Sequence, residues 1–315
     1  MQARRTKLIC SWAEFELMLL GRVLGFASQP MLEYLQGVAL LRNERCSDSP
    51  RFYLRHVESA DADVQRDALR RLNELPDVQL RLLQAEVDRE QLVHWISSSD
   101  TESQLLCLAL RLLPLVHRER DKALLEQILC SQDHPAQRQL GWVANCYIAI
   151  SGESAVDFLE EIFLADPTAA GHRVGEIAWA IAYHADLNVR RCWLYGSGCY
   201  ATSQPGAVKL GAVNRVSRTR AILAMRQALN RPESAPLAIR QLASWNDWLS
   251  GPRIARLAIS SDDNSAMRRA AIEFLEASPR AGARDDADLL HVLQGNPNTI
   301  AKPEVTLDAS AEGNR

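Results

Sequence analysis

The stretch Gln104–Val116 constrains the fold more than any other part of the chain. Leu105, Leu108, Ala109, Leu112, Leu113 and Val116 follow the i, i+3, i+4 spacing of one helical face. Leu106 and Leu110 then add apolar surface on another side. A helix apolar nearly all round has to be flanked on several sides. One partner in a two-helix hairpin cannot cover it, so this segment requires further helices stacked against it.

The same kind of unit recurs. Asp or Asn stands near a helix cap, an Arg/Gln-rich turn follows, and an Ala/Leu stripe develops. The instances are 61–75, 100–116, 133–150, 166–185, 217–229 and 263–278. Ala68, Ala109, Ala144, Ala178, Ala224 and Ala271 occupy matching small positions at uneven intervals, and small residues there let neighbouring helices approach closely. Second helices are expected between them, at Asp77–Glu86 with Glu90–Ile96, Arg120–Leu129, Glu153–Ala165, Ala235–Trp245 and Asp286–Leu293. Breaks such as Pro114 and Gly152 separate them. The array opens at Ser49-Pro50, an N-cap followed by proline at the first helical position.

The phrases "DADVQRDALRRL" (61–72) and "DNSAMRRAAIEFL" (263–275) resemble HEAT repeats. The resemblance extends over about 50–295. It implies an all-α, right-handed α-solenoid of stacked antiparallel helix pairs that binds other macromolecules. The expected organisation is an irregular N-terminal segment over 1–48, an array over 49–295 with an insertion at 186–216, and a disordered tail over 296–315. Within the first segment, Gln29-Pro30 and Gly37 read as helix breakers and Gly37–Leu41 as a strand.

Charge and cysteines narrow the function. With 36 basic and 39 acidic residues the net charge is −3, which gives no electrostatic reason to expect nucleic acid. Seven cysteines in no tight framework argue against a disulfide scaffold. Cys107, Cys130 and Cys146 read as small core residues, and a reducing, cytoplasmic setting fits them. After Leu8-Ile9-Cys10 the apolar stretch is broken by Glu14, Glu16 and Arg22, so a standard export signal is not expected. No uncharged apolar run is long enough to span a bilayer.

No catalytic residues, cofactor site or metal site are assigned. Cys192 and Cys199, with His172 and His184 upstream, match no common zinc spacing. Gly196-x-Gly198 lacks the lysine and the preceding strand of a phosphate loop. Two places are candidate binding surfaces. Glu153, Asp157, Glu160 and Glu161 share a face of the helix expected over 153–165, and an acidic face suits a basic partner. Trp245 and Trp248 flank Asp247 in "WNDWLSGP". That segment reads either as a helix-to-helix corner in which Trp245 caps the core, or, by fold-level analogy with helical-repeat DNA glycosylases, as a base-holding site. Arg215, Arg218, Arg220, Arg226 and Arg231 read as a solvated surface or as a phosphate or acidic-partner site.

The expected function is a non-enzymatic scaffold or adaptor for a protein partner. Two other readings stay open. One is a HEAT-like enzyme or enzyme helper, of lyase or nucleic-acid-repair type. The other is a fragment of a larger exported repeat protein.

Overall fold

The computed structural model describes residues 28–43, 49–185, 216–260 and 265–279. Every regular element among them is helical, and no strand occurs there. Residues 186–215 of the insertion expected at 186–216, the tail, the helix expected at Asp286–Leu293, and the thiols Cys192 and Cys199 lie outside the described residues.

The chain runs through α1 (Gln29–Asn43), α2 (Ser49–Leu54), α3 (Ala62–Glu74), α4 (Asp77–Leu80), α5 (Arg89–Ser97), α6 (Ser103–Val116) and α7 (Arg120–Cys130). It continues through α8 (Leu140–Ser151), α9 (Glu153–Leu159), α10 (Gly171–Ala185), α11 (Arg218–Ala228), α12 (Ala235–Ser244), α13 (Gly251–Ser260) and α14 (Ser265–Ala277). Single 3-10 turns follow α4 and precede α8 and α13, and α9 widens into a π turn over Glu160–Leu164.

Local chemistry sets the boundaries. Asp61 caps α3 by accepting from the Asp63 and Val64 amides at 3.0 and 3.3 Å. Asp88 caps α5 through the Glu90 amide at 3.0 Å. Gly152 ends α8 with φ 68°, a left-handed conformation that glycine adopts without steric cost. Pro114, by contrast, is not a break. It sits in the last turn of α6, which runs on to Val116.

Residues 29–43 correct the expected strand and breakers. Pro30 is at the second helical position, where a missing N–H costs nothing, and Ser28 Oγ accepts the Met31 amide at 3.2 Å. Gly37 leaves room for the Phe52 ring, since a Cβ there would lie 2.2 Å from Phe52 Cε2. A second helix not expected from the sequence is α13, with Gly251-Pro252 at its start.

The described residues divide into two compact units. One takes the chain up to Ala169 together with Trp179–Ala221, and the other takes Ala170–Ala178 and the chain from Ile222 on. In the first unit α6 packs against α3, α5 and α8, while α8 also packs against α7 and α9. Every residue from Leu105 to Leu113 except Cys107 is buried. The flanking that the sequence demanded of α6 is therefore supplied from three helices. Each buried leucine contributes about 1.5–3 kcal/mol. In the second unit α14 packs against both α12 and α13, with Phe274 and Leu275 buried between them.

Of the three described cysteines, Cys146 is buried and Cys107 half-buried, its thiol pushed up to about 12 by desolvation. Cys130 is exposed, which corrects the expectation that it belongs to the core. It is the last residue of α7, beyond the apolar stripe that Leu125, Ile128 and Leu129 bury.

Candidate functional site

Three polar clusters organise the described surface, and two of them contain the residues singled out in the sequence.

The first forms on α9. Asp157 and Glu160 converge on one guanidinium: Arg220 donates to Asp157 Oδ1 through Nε and Nη2 at 3.1 and 2.6 Å, and to Glu160 through Nη1 and Nη2 at 2.6 Å. One turn earlier the Glu153 carboxylate accepts the Ser217 amide at 2.8 Å. The hydrogen bonds that Arg220 donates to Glu160 and Asp157 raise its pKa above the ordinary value. Bonding to Ser217 holds the Glu153 carboxyl below the usual carboxylate range. Three of the four acidic residues thus receive residues 217–220, while Glu161 stays exposed outside the cluster. Glu160 is largely covered (13% exposed) and Asp157 largely open (71%).

The second is the Trp245–Ser250 corner. Trp245 is buried and follows α12 as its C-cap. Asn246 then takes φ 60°, a conformation asparagine tolerates better than most residues, and the chain reverses. Asp247 is buried. It accepts Arg226 Nε and Nη2 at 3.0 and 2.6 Å and the Ser250 hydroxyl at 2.6 Å. Burial alone would push its carboxyl up, but the Arg226 and Ser250 bonds outweigh it and hold the pKa below the usual range. Trp248 turns away and packs edge-on against Phe274, ring centroids 5.2 Å apart. The two tryptophans therefore do not form the walls of one site. Trp245 closes a core and Trp248 fastens α14, as the corner reading expected.

The third cluster escaped the sequence. Arg111, in the apolar stripe of α6, has a side chain only 3% exposed. It donates to the carbonyls of Asn73 and Leu75 at 2.8 and 2.6 Å and to Asp77 Oδ1 at 2.8 Å. Its guanidinium lies 5.7 Å from the centroid of Trp142. Trp142 meets Trp179 and Tyr183 edge-on at 5.2 and 6.0 Å. Tyr183 in turn donates its hydroxyl to Asp77 Oδ2 at 2.9 Å. One signal was available: Arg111 interrupts an otherwise apolar helix, and a buried charge has to find partners.

His184, upstream of the two undescribed thiols, sits in α10 with Nε2 2.9 Å from the Asn145 carbonyl oxygen. Among the described residues no group of acidic, histidine or cysteine side chains has the arrangement of a metal site. No helix there is long and apolar enough to cross a membrane. Compared with known proteins, the chain matches no family model, no curated protein and no solved structure.

Proposed function

We propose that this protein is a non-enzymatic interaction scaffold, a HEAT-like right-handed α-solenoid that binds a protein partner. The observation that carries the reading is the side-by-side packing of α3, α6 and α8, with α5 set against α6 and α7 and α9 set against α8. Arrays of this kind grow by repetition and offer a long surface that needs no reactive geometry. The polar clusters support the same reading, because their strongest donors and acceptors are used to fasten one element to another.

The binding surface proposed is the α9 face. Glu153, Asp157 and Glu160 outnumber Arg220, and Glu161 is exposed beside them, so the face is net acidic and fits a basic protein surface. The test is affinity capture from the native cell with wild-type bait and with the Glu153→Lys, Glu161→Lys double variant. The scaffold reading expects a specific partner on the wild type and loss of that partner on the variant. Equal recovery removes this face, and recovery of no protein by either bait removes the scaffold reading. Deleting 186–216 asks separately whether that segment sets specificity.

A further inference from the structure

We infer that the first unit is closed by a latch in which Asp77, at the start of α4, is tied to Tyr183 in α10, so that the segment after α3 and the end of α10 open together.

The argument starts from what stacking permits. In a row of helices each member touches its neighbours and little else. Here α6 lies between α3 and α8, and the 179–185 part of α10 meets α8 through Trp142 and Asn145. At about 8–10 Å per helix-to-helix step, three steps set α3 and α10 roughly 24–30 Å apart in a straight row. Yet Asp77, three residues past the end of α3, accepts the Tyr183 hydroxyl at 2.9 Å across 106 residues of sequence. The contact requires the row to turn in on the face that carries Arg111 and Trp142.

The remaining contacts close that turn. Arg111 holds the 73–77 corner from below through two carbonyls and Asp77. Trp142 lies against the Arg111 guanidinium on one side and against Trp179 and Tyr183 on the other. Asp77, Arg111, Trp142 and Tyr183 thus form a ring with one member from each of four consecutive stages. Both Asp77 oxygens take part, Oδ1 toward Arg111 and Oδ2 toward Tyr183. Both contacts bear on the same carboxylate, so loosening one weakens the hold on the other. A ligand or partner that acts on 75–83 is therefore coupled to α10 through this ring, and coupling of that kind has to be measured directly.

The experiment is amide hydrogen exchange on the full chain, comparing wild type with Tyr183→Phe and Asp77→Asn. Tyr147→Phe serves as control, since its hydroxyl bonds Glu126 between the adjacent helices α7 and α8. Both latch variants are expected to speed exchange roughly tenfold in 75–83 and in 179–185 together. The control is expected to leave both segments at the wild-type rate. Acceleration confined to the mutated segment, or the same paired acceleration in Tyr147→Phe, overturns the latch. If one latch variant fails to fold, the other gives the same reading.

Discussion

Arg89 and Asp121 form a bidentate pair between α5 and α7, with Arg89 Nε 2.9 Å from Asp121 Oδ2 and Nη2 bonded to Oδ1. Asp121 is 1% exposed and also accepts the Arg118 amide at 2.7 Å, so it holds the chain entering α7 while it fastens α5. Removing one partner of such a buried pair costs about 3–5 kcal/mol, and the lower end applies here because Arg89 Nη1 keeps its bond to Glu90 Oε1 at 2.6 Å. Asp121→Ala is expected to lose that much in urea unfolding. The Arg89→Met, Asp121→Leu double variant is expected to recover part of it, because apolar replacement removes the desolvation cost along with the pair.

Acid unfolding follows from the same carboxylates. Burial would raise the Asp121 pKa, but the bonds from Arg89 and the Arg118 amide prevail and lower it, and Asp247 is lowered in the same way by Arg226 and Ser250. A carboxyl whose folded pKa lies below its unfolded value of about 3.9 binds protons more weakly when folded. Its stabilising contribution is complete above about pH 4 and is lost as the pH falls through the folded value. Urea midpoints are therefore expected to fall steeply below about pH 4. Asp121→Asn should flatten that fall, and an unchanged slope would contradict the assignment.

Gly37 is expected to resist replacement. Alanine would favour the α1 helix by about 1 kcal/mol on intrinsic propensity. Its Cβ, however, would fall 2.2 Å from the Phe52 ring, which is stacked on Tyr34 at 5.5 Å and packed among Tyr53 and His56. Overpacking of this kind costs about 1–3 kcal/mol. Gly37→Ala should be net destabilising and should change the near-ultraviolet circular dichroism of the ring cluster. A gain in stability would show that the rings rearrange freely.

The Arg220 contacts should be unequal in energy. Glu160 is mostly covered, so its charge-assisted bonds are worth about 1.5–3 kcal/mol. Asp157 is mostly open, and an exposed pair contributes about 0–1 kcal/mol. Glu160→Gln should therefore lower the unfolding free energy clearly more than Asp157→Asn. Equal effects would mean that the two carboxylates share Arg220 evenly.

What could be read from the chain was the periodic and capped part. Asp61 and Gly152 mark real boundaries, and the stripe at 104–116 lies on a helix whose residues 105–113, Cys107 apart, are buried. The errors share one cause. Read one at a time, Pro30, Gly37 and Pro114 look like isolated breakers, although one stands in a first turn, one makes room for a ring 15 positions later, and one sits in a last turn. On α9 the Asp157 and Glu160 carboxylates share a partner, Arg220, that lies 60 residues from Glu160 in sequence, and Glu161 stands outside the cluster. The Asp77–Tyr183 contact had no local signal at all, because it depends on how far successive helices turn.

The most direct test of the whole account is the isolated hairpin of residues 88–117, which contains α5 and α6. In the chain α6 is covered by α3, α5 and α8, and within the hairpin it keeps α5 and loses the other two. Far-ultraviolet circular dichroism with sedimentation should find the hairpin unfolded or self-associated at neutral pH. A monomer with the full helix content of α5 and α6 would contradict the claim that these helices stand only by leaning on their neighbours.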